Sequence, residues 1–140
     1  MPIIDCPFTN LAYGQFRPYL AVRIINSHNN LSIPTYGIID TGADECAIPA
    51  NYAIGLKHNL QQGQPKQVST ANGKNTAYRH TTIFQILHPL NKNLLYESPP
   101  ILVDFMPNLP IVLFGVKNFL SNFVLTIDYP RQLFSIRFSQ

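Results

Sequence analysis

The triplet Asp40-Thr41-Gly42 closes the apolar run Ile38-Ile39 and continues into Ala43-Asp44. A carboxylate presented on such a turn can do general acid–base hydrolysis if it has a second carboxylate beside it. Two carboxyl groups about 3 Å apart cannot both ionise, so they share one proton; one activates a water and the other hydrogen-bonds the carbonyl under attack. The chain carries one Asp-Thr-Gly and no second copy. One polypeptide therefore supplies half of such a site, and the other half must come from a twin related by a two-fold axis. The plain alternative is an acidic surface turn in which Asp40 bonds its own backbone.

The elements that must hold this triplet read as strands. Residues 19–25, Tyr-Leu-Ala-Val-Arg-Ile-Ile, are β-prone and end at the polar loop 26–30; Tyr36-Gly37-Ile38-Ile39 leads directly into Asp40. Asn72-Gly73 separates the β-prone arms 66–71 and 76–86, which predicts a long, mostly polar hairpin with a tight turn at its tip. Leu94-Leu95-Tyr96 and residues 100–103 read as strand material around a proline-marked turn. The continuous apolar run Leu109 to Phe114, closed by Gly115, fits a strand buried on both faces. Apolar residues at 116, 119, 120 and 123 have helical spacing and predict one short helix near the C-terminus, before two closing strands at 124–129 and 132–138. A single helical turn is expected at 49–53, closed by Gly55.

Other chemistries find little support. The chain of 140 residues is 46% hydrophobic and 12% charged, which suits one compact domain that offers some apolar surface to a partner. Its net charge of +3 comes from bases scattered along the chain, without the stripe or patch that nucleic acid would demand. Cys6 and Cys46 stand far apart and give neither a disulfide framework nor a metal-ligand pair, and Cys46 reads as a small buried hydrophobe. His28, His58, His80 and His88 lack ligand spacing and read as surface or loop residues, so no metal and no cofactor is expected. Asp5, Glu45, Glu97, Asp104 and Asp128 stand isolated along the chain. No cleaved leader and no membrane-spanning run is expected from the sequence, and two unpaired thiols suit a reducing, cytoplasmic compartment.

Taken in order, three segments resemble the retropepsin-like aspartic proteases. Ile38-Ile39-Asp40-Thr41-Gly42-Ala43-Asp44 looks like that family's active-site loop; Leu113-Phe114-Gly115, about seventy residues on, looks like its second hydrophobic-hydrophobic-Gly element; and the hairpin around Asn72-Gly73 falls where the family keeps its flap. The likeness extends from about Arg17 to Phe138. It implies an all-β, closed, barrel-like domain over residues 17–140 with a short C-terminal helix, preceded by an unassigned N-terminal extension, residues 1–16. Departures from the pattern are a flap tip with one glycine, an extra residue between Gly115 and Phe119-Leu120, and no arginine after Gly115.

The resemblance implies an aspartic endopeptidase that acts as a homodimer on polypeptide bound in extended form. Asp40 would be the catalytic carboxylate, with Thr41 and Gly42 supporting its loop across the dimer axis. Gly42, Ala43, Asp44, Ala71, Asn72 and Gly73 would contact substrate backbone, and Lys117 is the expected ion-pair partner of Asp44. An inactive dimeric peptide-binding or scaffolding module is the alternative, because placement within about half an ångström decides whether such carboxylates react. A monomeric structural β domain is a third reading.

Overall fold

The computed structural model describes residues 1–11, 14–70 and 73–139. Two sheets account for most of the chain. The smaller one is three-stranded, in the order β1 (Ile3–Pro7), β11 (Leu133–Phe138), β10 (Phe123–Asp128), all antiparallel. Residues 1–16 thus contribute a strand, and Ile3, Cys6 and Phe8 enter the core.

The larger sheet closes on itself. Its order is β2 (Tyr19–Asn26), β3 (Ser32–Ile39), β9 (Val112–Phe114), β4 (Ala47–Pro49), β8 (Ile101–Met106) and β6 (Gly73–Leu87). Pairing of Thr82–Ile86 of β6 with Val22–Asn26 of β2 brings the last strand back to the first, giving a six-stranded barrel. Closure removes the unpaired edges that an open sheet would expose. β7 (Leu94–Glu97) pairs along the far end of β6.

β6 is long enough for two tasks. Its second half is barrel wall, while its first half pairs with β5 (Gln64–Thr70) as a hairpin, with Gln64 opposite Arg79 and Thr70 opposite Gly73. The predicted hairpin is therefore present. Gly73 begins β6 with φ 104, a backbone region that a Cβ disfavours. Ala71 and Asn72, singled out in the sequence, lie outside the described residues.

The helical segments differ in detail from expectation. Residues 116–122 form hydrogen-bonded turns and one 3-10 turn, Leu120–Asn122, with Leu120 N–H donating to Gly115 O at 3.1 Å and Ser121 N–H to Val116 O at 2.9 Å. Asn118 at φ 64 is the reason: a left-handed residue interrupts α-helical geometry while Phe119 and Leu120 still reach the core. The one α-helix among the described residues is α1 (Tyr52–Gly55), and the left-handed residue that follows it is Lys57, not Gly55.

Aromatic packing fills the barrel beneath β3 and β9. Phe114 and Phe119 stack at 4.4 Å between ring centroids, and Phe84 meets both edge-on at 5.2 and 5.6 Å. All three are fully buried, so each removes most of its apolar area from water, worth about 2–3 kcal/mol apiece before entropy is counted. Gly37 makes room for them, since a Cβ there would lie 2.2 Å from the Phe114 ring.

Candidate active site

Asp40 leaves the end of β3, which runs parallel to β9 with Ile38 opposite Leu113 and Ile39 opposite Phe114. Its backbone N–H donates to Phe114 O at 3.0 Å, continuing the ladder by one rung. The carbonyl of Asp40 accepts from Ala43 N–H at 3.1 Å and the carboxylate Oδ1 accepts from Gly42 N–H at 3.0 Å. One carboxylate oxygen is thus oriented by the loop itself. That bond belongs equally to a catalytic loop and to a plain turn, so it does not choose between them.

The rest of the loop is held by residues 115–117. Val116 N–H donates to Ala43 O at 3.0 Å, Lys117 N–H to Asp44 O at 2.8 Å, and Gly115 N–H to Cys46 Sγ at 3.4 Å. Gly115 has to be glycine: a Cβ there would stand 2.5 Å from the carbonyl carbon and oxygen of Glu45. The two segments that the sequence links only by resemblance, 38–44 and 113–115, are therefore one interlocked unit. Cys46 lies buried below it, and burial pushes its thiol up to about 11, which keeps it protonated and unreactive at neutral pH.

A hollow of about 300 Å³ opens beside Asp40, walled by Tyr19, Ile38, Pro110, Ile111 and Leu113, with Arg17 at its edge. Its wall is mainly apolar, as β3 and β9 each turn one residue, Ile38 and Leu113, away from the core. Thr41, Gly42 and Asp44 are exposed in the isolated chain, while Asp40 and Ala43 are half-buried. Arg17 is one of the scattered bases and is not among the residues that the sequence singles out for the site. Its backbone bridges to Thr9, with N–H···O distances of 3.0 Å in both directions, and this puts it at the entrance to β2.

Lys117 does not meet the Asp44 carboxylate as expected. Its ammonium lies 3.8 Å from Glu45, and only its backbone touches Asp44. Nor are Glu45 and Asp104 isolated in space. Arg79 reaches Glu45 Oε1 at 3.2 Å and Asp104 Oδ1 at 3.2 Å, the second contact being ionic without hydrogen-bond geometry. Lys66 contacts Glu45 and lies 3.0 Å from Asp104. Lys66 and Arg79 sit on the two arms of the hairpin, Glu45 in the loop after Asp40, and Asp104 on β8, where only 5% of it is exposed. The Lys66 hydrogen bond holds the Glu45 carboxyl below its ordinary range, and the same bond raises Lys66. No local pattern links positions 45, 66, 79 and 104; the pairing of β6 with β5 and with β8, where Arg79 stands opposite Asp104, brings the two bases and Asp104 together beside Glu45.

His58 and His80 are likewise not the separate surface histidines expected. Their rings lie 4.3 Å apart at a tilt of 32°, with Phe105 edge-on to both at 5.3 and 5.2 Å, and burial, followed by the neighbouring His80 and His28, lowers His58 to about 4. Among the described residues no group of three or more His, Cys, Asp or Glu side chains could hold a metal ion, and no helix is long and apolar enough to cross a membrane.

Comparison with solved structures matches the crystal structure of a retropepsin-like aspartic protease from Rickettsia conorii, with TM-score 0.64 and 26% identity over 99% of this chain and 91% of that one. The protease of EIAV, complexed with the inhibitor HBY-793, matches at 19% identity and TM-score 0.37 over 76% of this chain and 88% of that one. No family model and no curated protein matches the sequence. The chain has the retropepsin-like fold, all-β with a closed barrel.

Proposed function

We propose that this retropepsin-fold chain is an aspartic endopeptidase, assembled when two copies bring their Asp40 carboxylates together across a two-fold axis. The observation that carries the reading is the placement of Asp40. It follows the last residue of β3, is fixed at its N–H by Phe114 O, and borders an apolar hollow of about 300 Å³. Its exposed neighbours Thr41 and Gly42 are free to meet a second loop.

In the dimer the two carboxylates share a proton, because like charges about 3 Å apart resist joint ionisation. The ionised one takes a proton from a water between them as that water attacks the peptide carbonyl; the protonated one hydrogen-bonds the carbonyl oxygen and stabilises the charge that develops there. Thr41 of each copy links the two loops. An extended peptide suits the cleft because its backbone groups can pair with Gly42, Ala43 and Asp44 of the loop, while alternate side chains enter pockets. The side chain next to the cleaved bond occupies the hollow walled by Ile38, Ile111 and Leu113, which favours apolar residues there.

Cleavage of a mixed peptide library at mildly acidic pH tests this. Asp40→Asn is expected to lower the rate at least about a hundredfold with the fold retained. Cleavage unaffected by that substitution excludes the reading. No cleavage by the unaltered protein, with library peptides still bound, would favour a peptide-binding module instead.

A further inference from the structure

The hollow beside Asp40 is not alone on its side of the barrel. A second, of about 190 Å³, shares Pro110 and Ile111 with it and is completed by Leu11, Tyr52, Thr35 and Tyr36. A third, of about 410 Å³, shares Thr35 and Tyr36 with the second and lies over the paired segments 21–23 of β2 and 34–36 of β3. The three form a row of adjoining hollows. Apolar side chains line most of it, and its far end carries two cations, Arg23 and Lys92.

Lys92 is placed there by its loop. It follows β6 in a left-handed conformation, φ 61, with its N–H donating to His88 O at 3.0 Å. His88 Nδ1 in turn accepts from the N–H groups of Leu90 and Asn91 at 3.1 and 3.3 Å. The ammonium donates to Pro89 O at 2.9 Å and stands 5.3 Å from the centre of the Tyr36 ring, with the Tyr36 hydroxyl at 3.4 Å. Arg23 is oriented by Ser32 Oγ at 3.2 Å. Among the described residues neither cation meets a carboxylate, whereas Lys66, Arg79, Lys117 and Arg131 all do. An ammonium has three protons to donate, and Lys92 directs two inward, which leaves one for an acceptor arriving from solvent.

The geometry points to a second contact site for the substrate: the row of hollows takes the chain that leaves the Asp40 pocket, and Lys92 with Arg23 receives an acidic side chain on it. This rests on the endopeptidase reading. From Tyr36 on β3 to Asp40 just past its end is four residues, or about 13 Å, so the acidic residue falls about four positions from the residue in the Asp40 pocket. Charge complementarity and continuity with that pocket favour a substrate segment over a second copy of the chain, whose net charge is also positive.

Two matched peptides test it, identical except that one bears Glu-Glu and the other Gln-Gln at the fourth and fifth positions from the cleaved bond. The acidic peptide is expected to show a KM about three- to fivefold lower at low salt with kcat unchanged, the gain shrinking at high salt. Lys92→Glu should bring the ratio to about one or below, and a Lys-Lys peptide should regain the advantage in that variant. Binding of the same peptides to Asp40→Asn, followed by fluorescence anisotropy, gives the answer without cleavage. Equal binding of the acidic and neutral peptides overturns the proposal even if Asp40-dependent cleavage is intact. So does a change of subunit number in Lys92→Glu, which would assign the face to contact between copies. Loss of Asp40 dependence, by contrast, strikes the endopeptidase reading itself.

Discussion

Arg79, in the hairpin's long strand, stands 3.2 Å from Glu45, five residues beyond Asp40 in the loop. The hairpin is therefore fastened to the loop by charge as well as by the barrel. Lys66 on the opposite arm repeats the attachment, and Asp104 supplies a buried second anchor to both bases.

Removing one member of this cluster should cost in proportion to the burial of the charge left behind. Arg79→Met leaves Asp104 with Lys66 alone and is expected to lower unfolding free energy by about 2 kcal/mol, less than the about 3–5 kcal/mol that a buried charge loses with its last partner. Lys117→Ala, at the exposed 3.8 Å contact, should cost under about 0.5 kcal/mol. Urea denaturation of both variants checks the order. Equal losses would show that the cluster does not act through burial.

Acid should loosen the same region in two ways. Glu45 has a depressed carboxyl, so its stabilising contribution is complete above the ordinary glutamate range and disappears as pH falls through the lowered value. His58, lowered to about 4 from an ordinary 6.5, binds a proton more readily unfolded than folded across that interval, so stability falls as pH drops from about 6.5 to about 4. In His58→Phe, which keeps a ring against Phe105, the urea midpoint should change less with pH in that window. An unaltered slope would remove His58 from the account.

Gly115→Ala should disturb loop and stability together. The new Cβ meets backbone of Glu45 at 2.5 Å, and backbone cannot swing aside as a side chain does. A loss of about 1–3 kcal/mol is expected, the usual range for forced overpacking, with peptide cleavage reduced further than the unfolded fraction explains. A crystal structure of the variant with residues 43–46 unmoved would contradict this.

Ile111→Ala should widen the hollow beside Asp40. Peptides with a large aromatic residue at the cleaved bond should then gain on those with leucine by about tenfold in relative kcat/KM, the scale set by a few methylenes in an apolar pocket. No shift in preference would mean that the substrate side chain goes elsewhere.

The sequence carried the local part of this architecture well. Strand alternation, the β5–β6 hairpin and the run into Asp40 depend on neighbours a few residues apart, and the three ordered segments correspond to the end of β3 with its loop, β9 and that hairpin. What escaped depended on pairing between segments distant in sequence. Short β4 and β1 have too few residues for a period, the Glu45–Lys66–Arg79–Asp104 cluster draws on four separate elements, and the paired histidines are twenty-two positions apart. The helical spacing after Gly115 was real, but spacing does not report that Asn118 is left-handed.

The central claim is that each site needs two copies of Asp40, and mixing subunits tests it most directly. Unaltered protein and Asp40→Asn are combined in varied ratio at fixed total concentration, allowed to exchange, and assayed for peptide cleavage. If both carboxylates are required, activity follows the square of the unaltered fraction, falling to about a quarter at an equal mixture. A linear fall, to about a half, would mean that each chain cleaves on its own and would contradict the paired-carboxylate account.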